Sequence, residues 1–459
     1  MAPGRATTYK GAVSESKASA APAASVRARS PVPVVLLTVF LDMVGFSILF
    51  PIFPRMLEHY LALEGPGSAI GSLQHSLASF AGSNSNAVQT LFGGLLGSLY
   101  SLLQFLFAPV WGGLSDRIGR RPTLLVTLTG TLLGYVVWVF AGSFWLLVAS
   151  RLLCGLCSGN ISTASAVIAD VTEGKDRARG MGLVGMSIGL GFILGPVLCE
   201  LAYRGLSLGA GSASPGLALN PFSGPALASM LLALANLAWI AARFEETLPA
   251  ERRGTSHQAR VLNPFAQLAR LRFPGIALTN QVTFLFLAAF SGMEFTLTFL
   301  AADRLGYEPR DNVWMFVYSG LLIALVQGGL VRRLAPRLGE RKLALLGLVV
   351  LVPGYVGVAL AQSSVVLFAG LGLMAIGSAF AMPSVSALAS RYAPPDRQGL
   401  ALGTNRSMMA LARTLGPIAA SLAYWRFGST TAYLAAAALS ALPALLTLRL
   451  PPLPAEGKG

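Results

Sequence analysis

Stretches of about 20 consecutive, mostly apolar residues recur down this 459-residue chain, and that recurrence limits its folding more than any other feature. Some 20 residues of α-helix cross the ~30 Å hydrocarbon layer of a bilayer. In lipid the backbone N–H and C=O groups must pair within the chain, so each such stretch must be helical. The stretches fall near residues 33–57, 90–114, 122–141, 144–170, 179–203, 223–244, 276–302, 312–334, 342–361, 364–391, 398–425 and 428–449. Numbered 1 to 12 in that order, they predict an all-α membrane protein of twelve transmembrane helices, with both chain ends on one side. Composition agrees: 54% of residues are hydrophobic and only 12% are charged, about half the charged fraction of a soluble domain.

The net charge of +15 raises the question of a nucleic-acid partner, and its distribution answers it. All but seven of the 34 Lys and Arg lie in the two tails and the alternate loops that one face owns. Arg204, Arg304, Arg310 and Arg426 fall in loops of the other face, and Arg55, Arg151 and Arg413 within helices. This is the positive-inside bias. It makes the lipid bilayer the partner, excludes nucleic acid as the reason for the charge, and assigns both termini to the cytoplasm, at the plasma membrane or an organelle membrane. Cys154 and Cys157 form a C-x-x-C inside segment 4 with no strand before it, which reads as helix packing. No metal-ligand cluster, cofactor motif, nucleophile–base set or phosphate loop is visible, so the chain does not read as an enzyme. His59, His75 and His257 lie in loops or at a helix end, so a proton path inside the membrane must use carboxylates.

The organisation follows from these positions. Residues 1–32 form an Ala/Ser/Arg-rich, acid-poor tail, read as disordered and cytosolic. Residues 33–244 make a first six-helix bundle, 245–275 a basic cytosolic linker with room for an amphipathic helix, 276–449 a second bundle, and 450–459 a short cytosolic tail. Residues 58–89, rich in Ser, Gly and Asn and without Lys or Arg, read as a long loop on the opposite face. An internal repeat supports the two bundles. Adding 220 takes Asp176-Arg177 to Asp396-Arg397, Gly134-Tyr135 to Gly354-Tyr355, and Arg117, Gly119 and Arg121 to Arg337, Gly339 and Arg341. Adding 221 takes Gly195-Pro196 to Gly416-Pro417. In the second copy Pro336 and Glu340 stand where the first has Asp116 and Arg120, so that copy reads as degraded.

The stretch Gly112–Arg121, Gly-Gly-Leu-Ser-Asp-Arg-Ile-Gly-Arg-Arg, lies between segments 2 and 3. Its glycines, Gly112 and Gly119 among them, allow a tight turn. Arg117, Arg120 and Arg121 hold it at the cytoplasmic surface, and Asp116 can act on a helix end or an arginine. Charges inside the membrane are costly and therefore informative: Asp42 in segment 1, Arg151 in segment 4, Glu294 in segment 7 and Arg413 in segment 11. Arg151 and Glu294 each lie about seven residues from the opposite face, on the order of 10 Å deep. Sharing a cavity, they form a candidate proton-coupling pair; otherwise Glu294 is held within its own half. Asp42 tunes a cavity or bonds a neighbouring helix, and Arg413 reads as structural. Asn160 and Gln104 either face the cavity or tie helices together. Segment 5 carries Gly191 and Gly195-Pro196, a small-residue seam with a bend.

These motifs resemble the major facilitator superfamily. Gly112–Arg121 matches its Gly-x-Leu-x-Asp-Arg-x-Gly-Arg-Arg loop, and Phe244-Glu245-Glu246-Thr247-Leu248 is similar to its helix 6 ending. The blocks Leu41–Pro54, Gly112–Pro122, Arg151–Asp170 and Asp176–Pro196 resemble its drug:proton antiporter branch, near the bacterial tetracycline antiporters. Ser291–Leu297 and Gly159-Asn160 are similar to the tetracycline-transporter-like proteins of animals. The resemblance implies two pseudo-symmetric six-helix bundles around a substrate site, with helices 1, 4, 7 and 10 lining it. It implies roles for Asp42 as helix 1 acid, Asp116 and Arg117 as a gating turn with Asp170 as partner, and Arg151 as helix 4 arginine. Gly191, Gly195 and Pro196 resemble an antiporter signature. The implied activity is export of an amphipathic organic anion or drug-like small molecule in exchange for protons, by a functional monomer; the alternatives are a facilitator of another small solute and a non-transporting membrane receptor or scaffold. The chain departs from the bacterial antiporters at Gly134, where they carry an aspartate, and from the animal proteins at Ser158, where they carry a lysine.

Overall fold

The structure, a computed structural model, describes residues 30–68, 70–72, 75–76, 85–172, 174–206, 216–253, 275–393 and 398–453. The tail up to residue 29, linker residues 254–274, residues 454–459, Asp396-Arg397 and the side chains of Asp176 and Arg177 lie outside that description.

Ten stretches of the described residues are long and apolar enough to cross a bilayer. The last, Gly403–Leu448, breaks at Gly428 (φ 81°, ψ 164°) into two helices. Ser85–Ile118 is a helix of 34 residues and completes the twelve. We number them as spans: 1, Val32–Ile52; 2, Ser85–Ile118; 3, Arg120–Val139; 4, Phe144–Ile168; 5, Gly174–Gly205; 6, Ser223–Arg243. The second half holds 7, Ile276–Leu305; 8, Arg310–Leu338; 9, Glu340–Ala359; 10, Ser364–Arg391; and 11 and 12, the arms before and after Gly428. Leu133, Trp145, Leu201, Trp314, Leu325 and Val365 are all more than half exposed. Such a large apolar surface is sustainable only against lipid.

Three local departures from straight helices matter. Span 1 runs through a 3-10 turn into a further helix, Phe53–Glu64, so the start of the region read as a loop is helical and carries His59. Span 2 continues to Ile118, and the turn read across Gly112–Arg121 shrinks to Gly119 alone, at φ +111°. Gly112 is helical; its carbonyl accepts a bond from the Ser115 hydroxyl. Span 4 breaks at residues 157–159 and restarts at Asn160. Trp111 of span 2 seals that break: its Nε1–H donates to the Leu156 carbonyl (2.6 Å), and its ring fills the place a Cβ on Gly159 would take.

Within the first half, span 1 packs on spans 5 and 6, and span 3 on spans 4 and 6; within the second, span 7 packs on the 11–12 pair and span 9 on span 10. The halves meet where span 2 lies along the 11–12 pair and span 5 along span 8. The sequence repeat is visible as repeated contacts. Ser47 Oγ of span 1 donates to the Gly191 carbonyl of span 5 (3.0 Å), and Ser291 Oγ of span 7 donates to the Ala412 carbonyl of span 11 (3.3 Å). Arg121 caps the end of span 6 through the Ala241 carbonyl (2.7 Å), as Arg341 caps span 12 through the Leu448 carbonyl (2.6 Å).

The span 1–span 5 crossing is close because of two glycines. A Cβ on Gly191 would stand 2.5 Å from Met43 Cβ, and one on Gly195 would stand 2.8 Å from the Val44 carbonyl. Gly185 and Gly189 have open space instead and take no part in the crossing. Substituting Gly191→Ala or Gly195→Ala is therefore expected to destabilise the first half by about 1–3 kcal/mol through overpacking. Gly189→Ala should be neutral or slightly stabilising. Thermal unfolding of the detergent-solubilised protein checks this: equal midpoints for all three variants would contradict the crossing.

Candidate substrate and proton site

Among the described residues, three of the polar clusters carry the ionisable side chains singled out from the sequence. The first lies at the face that carries the arginine turn, here called the basic face. Arg120 is buried at the start of span 3. Its Nε and Nη2 take the two oxygens of Asp170 (2.8 and 3.3 Å), while Nη1 meets Asp116 Oδ1 (2.5 Å) and Ser115 Oγ (2.7 Å). Glu246, beyond the end of span 6, accepts from the backbone N–H groups of Arg120 (2.9 Å) and Arg121 (3.1 Å), which caps span 3. A Cβ on Gly119 would collide with that carboxylate. The sequence reading grouped Asp116, Arg117, Arg120 and Asp170. The structure joins three of them; Arg117 is exposed beside them. The bonds of the cluster tie the ends of spans 2, 3, 4 and 6 of one half together.

The second half keeps one of these pairs with its charges exchanged. Glu340, at the start of span 9, pairs with Arg391 at the end of span 10 (2.7 Å), where the first half has Arg120 and Asp170. The second copy is reduced, as expected, by Pro336 in place of Asp116, yet its span 9–span 10 pair survives because an ion pair works with either partner carrying either sign.

The second cluster lies in the first half. Thr127 of span 3 donates to Asn160 Oδ1 (2.6 Å), and Asn160 Nδ2 donates to Asp42 Oδ1 of span 1 (3.2 Å). Asn160 reaches Asp42 because span 4 restarts there. Arg151 is buried with its guanidinium 4.6 Å from the Trp138 ring centroid and 5.8 Å from that of Tyr135, and bonded to Ser150 Oγ (2.9 Å). Asp42 Oδ2 and Arg151 Nε have no hydrogen-bond partner among the described residues.

The third cluster lines a cavity of about 30 Å³ at the junction of the halves, walled by Phe46 and Phe50 of span 1, Gly97 and Ser101 of span 2, Phe192 of span 5, Ser291, Glu294 and Phe295 of span 7, and Arg413 and Pro417 of span 11. The cation acting on Glu294 is Arg413, whose guanidinium lies 5.4 Å from the Phe192 ring across the junction. The expected Glu294–Arg151 pairing is therefore not the one formed: Arg151 is caged by aromatic rings within its own half. Tyr100 of span 2 stands between the clusters, within electrostatic reach of Asp42 and Arg151 on one side and Arg413 on the other. Gln104, one helical turn beyond Ser101 towards the basic face, is half-buried on the same side of span 2.

The family model described as Major Facilitator Superfamily matches residues 35–338 and 330–459. The chain belongs to that superfamily. It is an integral, multi-pass membrane transporter of the superfamily's fold. It is 35% identical over 448 residues to human major facilitator superfamily domain-containing protein 10, a match covering 92% of this chain and 93% of the relative. It is 30% identical over 418 residues to the class C tetracycline resistance protein of Escherichia coli, covering 90% and 95%. Among solved structures, the human organic anion transporter MFSD10 (TETRAN) aligns with a TM-score of 0.74 at 34% identity, covering 92% of this chain and 99% of that one. The nucleoside transporter NupG, at 12% identity and TM-score 0.64, shares the fold.

Sequence reasoning missed Glu246, Tyr100 and Trp138 as members of these clusters. Glu246 carried a signal in its place after span 6, within a motif similar to the superfamily's. Tyr100 and Trp138 carried none, being aromatic residues among apolar ones. Because Arg120 is buried and doubly paired, Arg120→Ala strands two carboxylates and is expected to cost about 3 kcal/mol. Glu246→Gln weakens one charged cap and should cost about 1 kcal/mol. Chemical unfolding in detergent ranks the two; a larger loss for Glu246→Gln would contradict the geometry.

Proposed function

We propose that this transporter moves an amphipathic organic anion or drug-like small molecule by alternating access, coupled to protons at Glu294. The observation that carries the reading is the junction cavity, whose aromatic walls also carry one carboxyl and one guanidinium, Glu294 and Arg413. Sites of this kind bind by apolar area, with a few polar groups that fix orientation. An ionisable pair in the membrane marks a substrate or ion path. The similar proteins, an organic anion transporter and a tetracycline resistance protein, support the cargo class. Asp42, Asn160 and Arg151 form a second polar station, reached through Tyr100. The Arg120 cluster lets the first half move as one body, with its basic face and both termini in the cytoplasm. The working unit is a monomer, since the site is complete within one chain.

Exchange against protons is the first reading, favoured by the Gly191, Gly195 and Pro196 seam; a cargo group that displaces the Glu294 proton would run this way. The place of Arg413 favours a second. An anion bound to Arg413 is repelled by ionised Glu294, so it binds best when Glu294 holds a proton, and proton and anion then travel together. Proteoliposomes with an imposed pH gradient separate the two. An acidic lumen drives uptake under exchange, and an acidic exterior drives it under joint movement. In both, Glu294→Gln is expected to abolish gradient-driven accumulation while retaining counterflow. Unchanged accumulation in Glu294→Gln would refute the assignment of Glu294.

A further inference from the structure

The second half holds a line of buried hydroxyls that the reading above leaves unused. Glu294 of span 7 lines the cavity, and Tyr355 of span 9 stands within its electrostatic reach. Tyr355 is wholly buried and approaches Ser440 of span 12, yet neither hydroxyl has a well-formed hydrogen bond among the described residues. Tyr433, also of span 12, lies within electrostatic reach of Tyr355 and of Tyr424 on span 11. Its hydroxyl donates to the Met293 carbonyl (3.2 Å) and accepts from Thr296 Oγ1 (3.1 Å). Tyr424 is buried, likewise without a well-formed bond, and approaches Ser429. Ser429 follows the Gly428 turn at the face opposite the basic one, where Arg304 donates to it (2.7 Å). The exposed Asp303 is within electrostatic reach of Tyr424 there. From Glu294 to Asp303 is nine residues of span 7, about 14 Å.

A buried hydroxyl without a partner is costly, and a bridging water relieves it. Tyr355, Ser440 and Tyr424 are three such hydroxyls along one line. A proton relay needs groups that accept on one side and donate on the other, and a neutral phenol or alcohol does both. It also needs donors that can turn. Thr296 has one hydroxyl proton and three acceptors in reach: the Gly292 carbonyl (3.0 Å), the Met293 carbonyl (3.3 Å) and the Tyr433 oxygen (3.1 Å). The groups that share the cavity wall with Glu294 from other spans are Arg413 of span 11, Phe46 and Phe50 of span 1, Phe192 of span 5, and Gly97 and Ser101 of span 2. Of these only Arg413 carries a charge.

We propose that Glu294 exchanges its proton with the face opposite the basic one through this file of hydroxyls, inside the second half and apart from the cargo path. One proton moves per transfer. The Glu294 carboxylate takes it from the nearest hydroxyl or bridging water, each group is replenished by the next, and the last draws from bulk water beside Ser429. This rests on Glu294 as the proton carrier proposed above, under either sign of coupling. A file that reaches one face only keeps coupling intact, because exchange with the basic face still requires the seam to open there.

Liposomes carrying the full chain in one orientation are given an acid jump in the outer medium, with protons as the only ligand. The infrared C=O stretch of a protonated carboxyl reports Glu294, identified as the band that Glu294→Gln removes. With the face opposite the basic one outward, Tyr433→Phe, which keeps the ring and loses the hydroxyl, is expected to slow the rise of that band by about tenfold. Its final amplitude should not change. Tyr355→Phe and Ser440→Ala should slow it in the same way, and they serve if Tyr433→Phe does not fold. With the basic face outward, all three variants should match the wild-type rate. Hydroxyls that only hold the helices together predict lower thermal midpoints with wild-type rates from both faces, and that result overturns the file alone. Equal slowing from both faces overturns it too. A spectrum with no band that Glu294→Gln removes overturns the assignment of Glu294 and the file with it.

Discussion

A charge placed inside a membrane must find its compensation within the protein, at a cost of several kcal/mol if it does not. The charges of this chain are compensated to different degrees. Arg120 is saturated, with two carboxylates and a hydroxyl around its fork. Arg151 rests on two aromatic faces and one hydroxyl, and Asp42 on a single amide. Glu294 and Arg413 share a cavity wall without closing to a direct ion pair. Saturation makes a rigid joint; partial compensation leaves capacity for a proton or an anionic group to bind and leave. The degree of satisfaction, more than depth in the membrane, thus separates groups that hold the fold from groups that can work in it.

The two halves keep the same joints with altered chemistry. Ser143 caps span 4 and Ser363 caps span 10, each accepting from the backbone three residues on. Gly119 and Gly339 make the same left-handed entry into spans 3 and 9, where the chain must reverse within one residue. Arg120–Asp170 becomes Glu340–Arg391. A joint defined by geometry survives an exchange of charge because the Coulomb term depends on the product of the two signs. Groups facing the junction are under no such symmetry. Asp42 and Arg151 have no like-for-like copies in the second half, and Glu294 and Arg413 have none in the first. The halves therefore share a scaffold and divide the ionisable chemistry between them.

The number and order of spans were legible because lipid leaves a 20-residue apolar stretch only one solution. The breaks were not. Span 4 parts at Cys157-Ser158-Gly159 because Trp111, a residue 46 positions earlier, can satisfy the carbonyl that the break frees. The Arg120 cluster was legible as a set of residues, since short turns place neighbours in sequence together. Its cap by Glu246 was not, because that depends on which helix end lies beside the turn. Counting residues from the helix ends placed Arg151 and Glu294 at similar depths, which says nothing about the direction each side chain takes around its helix axis. That direction is set by packing. It brought Arg413, read as structural, to Glu294, and left Arg151 against Trp138.

The cavity of about 30 Å³ has room for about one water and none for an organic molecule. Admission of cargo requires the halves to part, and the contacts across the junction show what parting would cost. On the face opposite the basic one, Arg55 pairs with Glu308 (3.2 Å), with side chains 43% and 68% exposed, a contact worth under about 1 kcal/mol. Above the cavity Phe50 stacks on Phe316 and Phe53 meets Phe295 edge-on, about 0.5–1.5 kcal/mol each beyond their buried area. At the basic face the bond from Arg406 to Ser165 is of the charged–neutral kind, about 1.5–3 kcal/mol. Each of these polar and ring contacts taken singly is within a few kcal/mol, the range in which a proton or a bound anion can shift a two-state population. Close glycine packing runs through the seam as well as inside each half: a Cβ on Gly94 of span 2 would stand 2.7 Å from Ser421 Cβ of span 11, and one on Gly320 of span 8 would meet Ile193 of span 5. What sets the inner joint of the first half apart is its charge pairing: Arg120 is buried and holds two carboxylates, whereas the Arg55–Glu308 pair across the seam is exposed.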